Sequence, residues 1–504
     1  MGGIKIMAKL LSQLLASIDT EAVIGRTDIE IQDVSYDSRT VAAGTLFICL
    51  DGARVDGHTF AQKAVEAGAV AIVAQKDIEV AEGVTVIRVA DTRAAMQSIV
   101  PSFFDYPSRK LRMIGVTGTN GKTTSTYVLR SILQKAGYRV GVIGTIHIMI
   151  EDEIIPINNT TPDVIDLQKI LVRMVEANID YVIMEVSSHA LVLNRVAGCD
   201  FNVAMFTNLT QDHLDFHKTL EQYALAKADL FARVASQANC KPNRAAVVNL
   251  DDEAAQTMLA AANGVKTITY GINSDADVRA TDITVTGTGT SFKVTGAYGE
   301  HTLNLRITGI FNVYNVLGTI CAALSENIEW TTIIESLESF TSVAGRFELI
   351  DGGQSFPIIV DYAHTPDGLE NILKTAKEFT KGRIIVVFGC GGDRDRTKRP
   401  IMGRIATELG DVVIATSDNP RTEDPARILD DVEAGILEVL DDNTQYEKIA
   451  DRRAAIERAI TMAKADDVVM IAGKGHETYQ ILNTGTIHFD DREVAREVAR
   501  GLAK

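Results

Sequence analysis

A glycine-rich stretch near residue 115 has the composition of a phosphate-binding loop. The segment GVTGTNGKTT (115–124) lies between an apolar run and a stretch with helical periodicity. Glycines let backbone N–H groups close around phosphate oxygens at a helix N-terminus, where a lysine reaches the β- and γ-phosphates and a threonine hydroxyl can ligate Mg²⁺. Val116 stands where the strict pattern has its first glycine. In this strand–loop–helix context, the segment predicts nucleotide binding rather than a bare turn.

Three later segments supply a carboxylate, a histidine and a lysine. Glu185 ends the apolar segment YVIME, Asp212 and His213 follow NVAMFTNL, and Lys227 lies in YALAKADLF. The carboxyl ends of parallel strands share one edge of a sheet, so Glu185 and His213 are predicted beside the phosphate loop, where a carboxylate can hold Mg²⁺. Taken singly, Glu185 also suits a structural ion pair, His213 a structural role, and Lys227 a solvated or snorkelling side chain.

The elements around these segments indicate three α/β domains. Residues 1–110 contain the strands GTLFICL and VAIVAQ and the helical stretch HTFAQKAVEAG. Residues 111–345 alternate strands and helices and end in a polar–apolar stretch, 278–307, that predicts an antiparallel meander. Residues 346–504 contain the strands PIIVDYA, RIIVVFGC, DVVIATSD and DDVVMIAG. This alternation predicts a mostly parallel central P-loop sheet with an antiparallel extension, followed by a Rossmann-like C-terminal domain.

The composition excludes several classes of protein. The 504 residues include 50 basic and 67 acidic side chains, for a net charge of −17, which argues against sequence-independent nucleic-acid binding. No apolar run approaches the roughly 20 residues needed to cross a bilayer, so we expect no membrane insertion. The five cysteines are scattered without a CxxC pair, as is typical of a reducing compartment. We therefore expect a cytoplasmic protein.

The order of the motifs resembles that of the ATP-dependent Mur ligase family. The phosphate loop, the strand-end Glu185, NLTQDHLD and YALAK occur in this order, and further motifs extend the resemblance over nearly the whole chain. These motifs are SYDSRTVAAGTLFICLDGARVDGHTF, NNTTPD, GIFNVYN, VAGRFE, VDYAHTPD, FGCGGDRDRTKRP, SDNPRTEDP and AGKGHETYQ. Within the family, they are most similar to the ligase that adds the third residue of the peptidoglycan stem peptide.

The resemblance implies a role for each matching residue. Those implied to bind ATP are Gly118, Thr119, Asn120, Gly121, Lys122, Thr123, Thr124, Asn312, Asn315, Asp361 and His364. Those implied to ligate Mg²⁺ are Thr123, Glu185, His213 and Lys227, the last as an N6-carboxylated lysine, a carbamate. Those implied to hold the sugar-nucleotide peptide are Tyr36, Ser38, Asn159, Thr160, Thr161, Ser187 and Arg195. Those implied to hold diaminopimelate are Arg394, Asp418, Asn419, Pro420, Arg421, Gly473 and Glu477. The implied catalytic set is Lys122, Glu185, His213 and Lys227.

The implied reaction is the formation of an amide. The γ-phosphate of ATP would pass to the γ-carboxylate of D-Glu in UDP-MurNAc-L-Ala-D-Glu, and the amino group of meso-diaminopimelate would attack the resulting acyl phosphate. ATP and Mg²⁺ are the expected cofactors, and the protein is expected to be a monomer.

Other interpretations of the sequence remain open. At the level of function, they are an L-lysine-adding homologue, a ligase similar to folylpolyglutamate synthetase, and a P-loop mechanochemical ATPase that hydrolyses nucleotide without an amine acceptor. At the level of single motifs, Asp361 and His364 also suit a turn before a helix that begins at Pro366. SDNPRTEDP likewise suits a strand-to-helix turn, with Asp424 before a helix that begins at Pro425. Arg394 and Arg399 suit a solvated basic face.

Overall fold

The computed structural model describes residues 8–52, 55–157 and 159–502 of the chain. Three large sheets follow one another along these residues, with five, eleven and six strands. Strands and helices alternate in each part, which confirms the predicted α/β class. None of the described helices is both long and apolar enough to cross a membrane.

The N-terminal part forms the five-stranded sheet. Its elements are β1 (Lys9–Leu10), α1 (Leu11–Leu15), β2 (Ala22–Ile24), β3 (Glu30–Ile31), β4 (Asp33–Ser35), β5 (Thr45–Ile48), α2 (Ala61–Glu66), β6 (Ala69–Ala74), β7 (Thr85–Arg88) and α3 (Thr92–Phe103). The strand order is β2-β7-β6-β5-β4, in which the β2–β7 pair is antiparallel and the other pairs are parallel. The helix predicted at HTFAQKAVEAG is shorter than expected, because its first turn is a 3₁₀ helix (Gly57–Phe60) capped by Asp56.

The central part forms the eleven-stranded sheet and its helices. Its elements are β8 (Arg112–Thr117), α4 (Lys122–Lys135), β9 (Val140–Ile143), β10 (Ile148–Ile150), β11 (Glu153–Ile155), α5 (Val164–Glu176), β12 (Tyr181–Glu185), α6 (Ser188–Val192), β13 (Val203–Phe206), α7 (Leu214–His217), α8 (Leu220–Ala235), β14 (Ala245–Asn249), α9 (Ala255–Ala261), β15 (Lys266–Gly271), β16 (Val278–Thr286), β17 (Gly289–Gly296), β18 (His301–Leu305), α10 (Ile310–Ser325) and α11 (Trp330–Ser339).

Strand β8 is where the order of the central sheet reverses. The sheet order is β11-β10-β9-β12-β8-β13-β14-β15-β16-β17-β18, and β8 pairs in parallel with both β12 and β13. Its apolar residues are buried on both faces, with Ile114 and Val116 packed in the cluster that includes α4 and α10, and Met113 in the cluster that includes α5 and α8. In such sheets ligands bind outside the carboxyl ends of the strands at the reversal point. The loops after β8, β12 and β13 meet there.

Both edges of the central sheet are antiparallel. Strands β16, β17 and β18 form the meander that the alternating pattern of 278–307 predicts. At the opposite edge, β9, β10 and β11 also pair antiparallel, with a turn at Glu151 that has a φ of 55°. This second extension is a finding of the structure, since its three-residue strands are too short to give a periodic signal.

The C-terminal part forms the six-stranded sheet. Its elements are β19 (Glu348–Leu349), β20 (Ile358–Asp361), α12 (Pro366–Phe379), β21 (Ile384–Phe388), α13 (Lys398–Leu409), β22 (Val412–Ala415), α14 (Pro425–Val439), β23 (Gln445–Lys448), α15 (Arg452–Met462), β24 (Val468–Ala472), β25 (Tyr479–Leu482), β26 (Gly485–His488) and α16 (Asp491–Leu502). The order is β19-β20-β24-β21-β22-β23, parallel except for β19. The four predicted strands are confirmed, and the polar edge strand β23 and the hairpin β25–β26 are additions.

A buried ion pair joins two helices to the strand ends of the C-terminal sheet. Arg452, at the start of α15, donates from Nε and Nη2 to the carboxylate of Asp491, at the start of α16, at 2.7 and 2.6 Å. Its guanidinium also donates to the backbone oxygens of Ala472 at 3.0 Å and Ser417 at 3.4 Å. Both charged side chains are fully buried. The pair therefore fixes the ends of β22 and β24 relative to each other.

Removing one partner of this pair should destabilise the protein strongly. Arg452→Leu leaves the Asp491 carboxylate buried without its counter-charge, which typically costs about 3–5 kcal/mol. Arg453→Leu is the matched control, because the adjacent Arg453 is exposed and its ion pairs with Glu457 and Glu497 lie at the surface. Calorimetry of the full chain should show a large fall in the unfolding temperature for the first variant and little change for the second. Equal shifts would contradict this account.

Candidate active site

The glycine-rich loop between β8 and α4 is closely packed at two glycines. Gly118 and Gly121 have φ values of 151° and 83°. A Cβ atom on Gly118 would lie 1.8 Å from Thr207 Oγ1, and one on Gly121 would lie 2.1 Å from Asn315 Oδ1. The Thr207 hydroxyl also donates to the backbone oxygen of Asn120 at 2.7 Å. Glycine is thus required at both positions, and the loop is held in a compact turn at the N-terminus of α4.

Lys122 is the first residue of α4 and folds back over this loop. Its Nζ donates to the backbone oxygens of Gly118 and Thr119, both at 2.8 Å. Desolvation lowers the pKa of Lys122, and the nearby Glu185 carboxylate opposes this effect. The ammonium therefore lies where the loop and the helix N-terminus both favour an anion.

Glu185, at the end of β12, connects the phosphate loop to neighbouring strand ends. Its carboxylate accepts hydrogen bonds from Thr123 Oγ1 at 3.1 Å, from Thr145 N at 2.9 Å and from Thr145 Oγ1 at 3.0 Å. Its backbone oxygen accepts from Thr161 Oγ1 at 2.8 Å. The residue is 1% exposed. The predicted position of Glu185 beside the phosphate loop is confirmed by these contacts.

Lys227 and His213 lie on the same side of the loop and both contact Tyr223. The Nζ of Lys227 lies 4.2 Å from the centre of the Tyr223 ring, and the His213 ring meets that ring edge-on at 6.0 Å. The Tyr223 hydroxyl lies 3.3 Å from Thr119 Oγ1 in the phosphate loop. His213 itself has a φ of 55°, precedes α7 and is half-exposed beside Asp212.

Lys227 is buried, which overturns its interpretation as a solvated or snorkelling lysine. It is 1% exposed, and among the described residues no hydrogen bond or ion pair reaches its ammonium. Burial lowers the pKa of Lys227 well below its usual range, and the charge of Lys122 lowers it further. The carboxylates of Asp212 and Asp252 oppose this shift without reversing it. Burial of an amine favours its neutral form, which is the form that reacts with CO₂.

The oxygen atoms beside the loop suit Mg²⁺. The hydroxyl of Thr123 and the carboxylate of Glu185 are in contact, and Mg²⁺ prefers oxygen ligands and needs few of them from the protein. Among the described residues, no three His, Cys, Asp or Glu side chains form a group that could hold a metal. A carbamate on Lys227 would add an anionic ligand to this set.

The two asparagines of α10 lie under the phosphate loop. Asn315 Nδ2 donates to Asn312 Oδ1 at 3.2 Å, and Asn312 Nδ2 donates to the backbone oxygen of Thr308 at 2.9 Å. This chain of hydrogen bonds holds the Asn315 side chain against Gly121. The structure therefore brings Asn315 to the loop, with Asn312 behind it.

Asp361 and His364 lie in the turn between β20 and α12. The Asp361 carboxylate accepts hydrogen bonds from the backbone N–H groups of Phe347 at 2.6 Å and Ala363 at 2.7 Å. The His364 ring is exposed, with Nδ1 2.9 Å from the backbone oxygen of Tyr362. Helix α12 begins at Pro366, as the turn interpretation predicts. These contacts leave the expected nucleotide role of both residues as a prediction.

Two residues of the C-terminal part contact the phosphate loop directly. Asp367 Oδ2 accepts from Asn120 Nδ2 at 2.9 Å and from Thr210 Oγ1 at 3.0 Å. Arg346 Nη2 lies 3.5 Å from Thr123 Oγ1, and its guanidinium stacks 4.7 Å from the Tyr362 ring centre. Sequence reasoning missed both residues, although VAGRFE contains Arg346 and VDYAHTPD contains Asp367. The two parts of the chain thus meet at the loop.

Four of the seven residues expected to hold the sugar-nucleotide peptide lie next to Glu185. Thr160 Oγ1 lies 3.1 Å from Thr145 Oγ1, Thr161 Oγ1 accepts from Ser187 N at 3.1 Å, and Arg195 Nη1 donates to the backbone oxygen of Thr161 at 3.2 Å. These residues form one polar cluster that continues the site away from the phosphate loop.

The other three are more dispersed. Tyr36 OH lies 3.4 Å from Asp166 Oδ2 on α5, and burial raises the pKa of Tyr36 to about 12. Ser38 is partly buried near Tyr36 in the chain, and Asn159 is exposed. Asn158, the first residue of the NNTTPD motif, lies outside the described residues.

The residues expected to hold diaminopimelate converge where β22 and β24 end. Asn419 Nδ2 donates to Glu477 Oε2 at 2.8 Å, and a Cβ on Gly473 would lie 2.6 Å from Asp418 Oδ2. Arg421 Nη1 donates to the backbone oxygen of Gly392 at 2.8 Å, and Arg421 has a φ of 54°. We call Asp418, Asn419, Arg421, Gly473, Lys474 and Glu477 the amino-acid cluster. Lys474 is a member that sequence reasoning missed, although AGKGHETYQ contains it.

Three further residues named in the sequence analysis lie in the chain segments next to this cluster. The backbone oxygen of Pro420 lies 1.9 Å from where a Cβ on Gly392 would stand, so the two loops are in close contact. Arg394 is exposed in the loop that contains Gly392. Arg399 is fully buried and forms ion pairs with Glu423 and Asp431 at 2.8 Å each. The interpretation of Arg399 as part of a solvated face is therefore wrong, because these two carboxylates draw its guanidinium inward.

Comparisons with known proteins cover nearly the whole chain. Three family models match it: "Mur ligase family, catalytic domain" at residues 30–104, "Mur ligase middle domain" at 116–323 and "Mur ligase, glutamate ligase domain" at 345–475. Over 97% of its length, the chain is 47% identical to UDP-N-acetylmuramoyl-L-alanyl-D-glutamate--2,6-diaminopimelate ligase of Bacillus cereus, of which it covers 98%. A protein of the same name from Bacillus velezensis is 48% identical over 93% of the chain and 94% of the relative.

A solved structure under that name is also similar. It is 33% identical, with a TM-score of 0.72 over 99% of this chain and 100% of that one. The matched segments contain the phosphate loop, the strand-end Glu185 and the loop that begins at Asp418. The chain therefore belongs to the Mur ligase family.

Proposed function

We propose that this ligase adds meso-diaminopimelate to UDP-MurNAc-L-Ala-D-Glu at the expense of ATP, in the cytoplasmic synthesis of peptidoglycan precursors. The observation that carries the proposal is the arrangement around Glu185, which contacts both the phosphate loop and the polar cluster of Thr160, Thr161, Ser187 and Arg195. The amino-acid cluster, which contains charges of both signs, lies at the ends of β22 and β24 in the C-terminal part. The names of relatives 47% and 48% identical specify UDP-MurNAc-L-Ala-D-Glu and 2,6-diaminopimelate. In this proposal residues 1–110 bind the uridine nucleotide, 111–345 bind ATP and 346–504 bind the amino acid, in a monomeric enzyme.

The chemistry requires an activated carboxylate, because free carboxylates do not acylate amines in water. An oxygen of the D-Glu γ-carboxylate attacks the γ-phosphorus of ATP, and ADP leaves. The amino group of diaminopimelate then attacks the carbonyl carbon, the C–O bond to phosphate breaks, and the amine loses a proton. Lys122 and the N-terminus of α4 neutralise the charge that shifts during phosphoryl transfer. The protein otherwise contributes placement of the reacting groups.

The residues that would hold Mg²⁺ are Thr123, Glu185, His213 and Lys227 as a carbamate. The metal would supply charge neutralisation to the phosphate oxygens. In the carboxylation, the neutral Lys227 Nζ forms a bond to the carbon of CO₂ and releases a proton, so the neutral amine becomes an anion. The charge of Lys122, which lowers the pKa of Lys227 in the unmodified chain, would attract this anion.

Contacts between the central and C-terminal parts would protect the acyl phosphate from water. Asp367 contacts the phosphate loop through Asn120, and Arg346 contacts Thr123. A carboxyl phosphate hydrolyses unless water is excluded, and closure of domains over a site is a common means of excluding it. The same contacts bring the amino-acid cluster toward the phosphate loop.

Phosphate release from ATP should require both other substrates. We expect release when the full chain receives UDP-MurNAc-L-Ala-D-Glu and meso-diaminopimelate with Mg²⁺, and only background release when either is omitted. A folate in place of the sugar-nucleotide should give background release as well. Release that is independent of any amine acceptor would instead indicate a P-loop ATPase, and release with folate and glutamate would indicate a folylpolyglutamate synthetase.

Lys227 should be essential as a carbamate and replaceable in part by a carboxylate. Lys227→Ala should lose at least about 10²–10³ in rate, the typical cost of one preorganised electrostatic group. A short carboxylic acid such as formate or acetate should restore part of that rate. Lys135→Ala is the control, since Lys135 lies on the surface of α4 in an exposed pair with Glu335. Full activity of Lys227→Ala would refute this role, and so would activity that no carboxylic acid restores.

Arg421 should select diaminopimelate over lysine. The two amino acids differ by one carboxylate at the far end, which the planar guanidinium can hold with two hydrogen bonds. A site built for a polar group can reject an analogue without it by on the order of 10⁴. We expect wild type to show a preference of that order in kcat/KM and Arg421→Ala to lose most of it.

The control for Arg421→Ala is Arg396→Ala. Arg396 is an exposed arginine that pairs with Asp431 at 3.0 Å. It should leave the preference unchanged. Equal use of lysine by wild type, or full discrimination by Arg421→Ala, would contradict the assignment.

A further inference from the structure

A fully buried lysine lies behind the amino-acid cluster. Lys474 Nζ donates to Asn419 Oδ1 at 3.2 Å and to Glu477 Oε2 at 3.0 Å, and it lies 4.0 Å from Asp418 Oδ1. The Lys474 side chain is 0% exposed, whereas those of Asp418 and Glu477 remain 9% and 14% exposed. The carboxylates thus form the accessible side of the cluster, and the ammonium contacts them from the interior.

Lys474 fixes the orientation of the Asn419 amide. Asn419 Oδ1 accepts from both Lys474 Nζ and the backbone N–H of Ile481, the latter at 2.9 Å. With its oxygen held by two donors, the amide directs Nδ2 to Glu477 Oε2 at 2.8 Å. Loss of the ammonium would leave the oxygen with one donor and would remove the cation that contacts the Glu477 carboxylate directly. Lys474 therefore positions the side chains of Asn419 and Glu477, while its own side chain is fully buried.

The same lysine sets the net charge of the cluster. Asp418 and Glu477 contribute one negative charge each, and Lys474 and Arg421 contribute one positive charge each, so these four buried or half-buried side chains sum to zero. The exposed Arg394 on the neighbouring loop lies outside this sum. The far end of meso-diaminopimelate carries an ammonium and a carboxylate and is also neutral overall, whereas the side chain of lysine carries an ammonium alone. Without Lys474 the sum becomes −1, which attracts a lone ammonium.

We propose that Lys474 is a positioning residue that keeps the amino-acid cluster neutral and thereby favours a zwitterionic diamino acid over lysine. This inference rests on the proposed function, because it concerns how the same site chooses its amine substrate. It differs from the role of Arg421, which is direct recognition of the far carboxylate.

The test compares three variants of the full chain that differ in the charge sum. Lys474→Gln keeps a hydrogen-bond donor and gives −1, Glu477→Gln gives +1, and the double variant restores zero. For Lys474→Gln we expect the preference for meso-diaminopimelate over lysine in kcat/KM to fall at least 10-fold, with KM for ATP within two-fold of wild type. The double variant should discriminate better than Lys474→Gln and less well than Glu477→Gln. If Lys474→Gln fails to fold, the comparison of the double variant with Glu477→Gln still tests the charge order.

Lys241→Gln is the matched control for loss of a buried lysine. Lys241 donates to the backbone oxygens of Ser108 and Leu111, in a part of the chain remote from the cluster. It should alter stability without altering amino-acid preference. If Lys474→Gln slowed the reaction equally with both amino acids, or if preference failed to follow the charge order, the inference would be overturned while wild-type use of diaminopimelate still supported the proposed function. Wild type that used neither amino acid would overturn both.

Discussion

The buried carboxylate of Glu185 is the interaction on which the arrangement of the site depends. A buried charge must be matched by donors, and here the donors come from the phosphate-loop helix through Thr123 and from the loop after β9 through Thr145. The backbone of Glu185 also accepts from Thr161, in the polar cluster expected to hold the sugar-nucleotide peptide. One residue therefore connects the phosphate loop to the neighbouring polar cluster. The close approach of Gly144, where a Cβ would lie 2.4 Å from Glu185 Oε1, leaves it little freedom.

A second constraint is that the amine must reach the activated carboxylate while water is excluded from it. The C-terminal sheet presents charged loops at the ends of β22 and β24, and the Arg452–Asp491 pair fixes those ends from behind. Asp367 and Arg346 bring this part of the chain onto the phosphate loop. The phosphate loop of the central part and the amino-acid cluster thus belong to parts of the chain that are in direct contact. This arrangement suits a ligase, whereas simple nucleotide hydrolysis has no need of the amino-acid cluster.

Features that depend on local pattern could be predicted from the sequence. The phosphate loop, the strand-end position of Glu185, the meander at 278–307 and the helix starts at Pro366 and Pro425 all follow from short-range periodicity, glycines and caps. The structure also brings Asn419 and Glu477 into contact, and their expected role in holding diaminopimelate stays a prediction.

Features that depend on distant contacts could not be predicted in this way. The bond from Asn120 to Asp367 spans 247 positions in the chain, and the burial of Arg399 depends on carboxylates 24 and 32 positions away. The motif AGKGHETYQ does not indicate that Lys474 lies close to Asp418 and Asn419, which are distant in the sequence. Short edge strands such as β11 and β23 give no periodic signal, because three or four residues are too few to show one.

The central claim is that the carboxylate of D-Glu is activated by phosphoryl transfer, and the fate of its oxygen tests it most directly. UDP-MurNAc-L-Ala-D-Glu labelled with ¹⁸O in the γ-carboxylate would be converted by the full chain with ATP, Mg²⁺ and meso-diaminopimelate, and the phosphate would be analysed by mass. Because phosphate leaves with the oxygen that attacked ATP, the account predicts one ¹⁸O atom in the phosphate for each amide formed. Amide formation accompanied by unlabelled phosphate would contradict it.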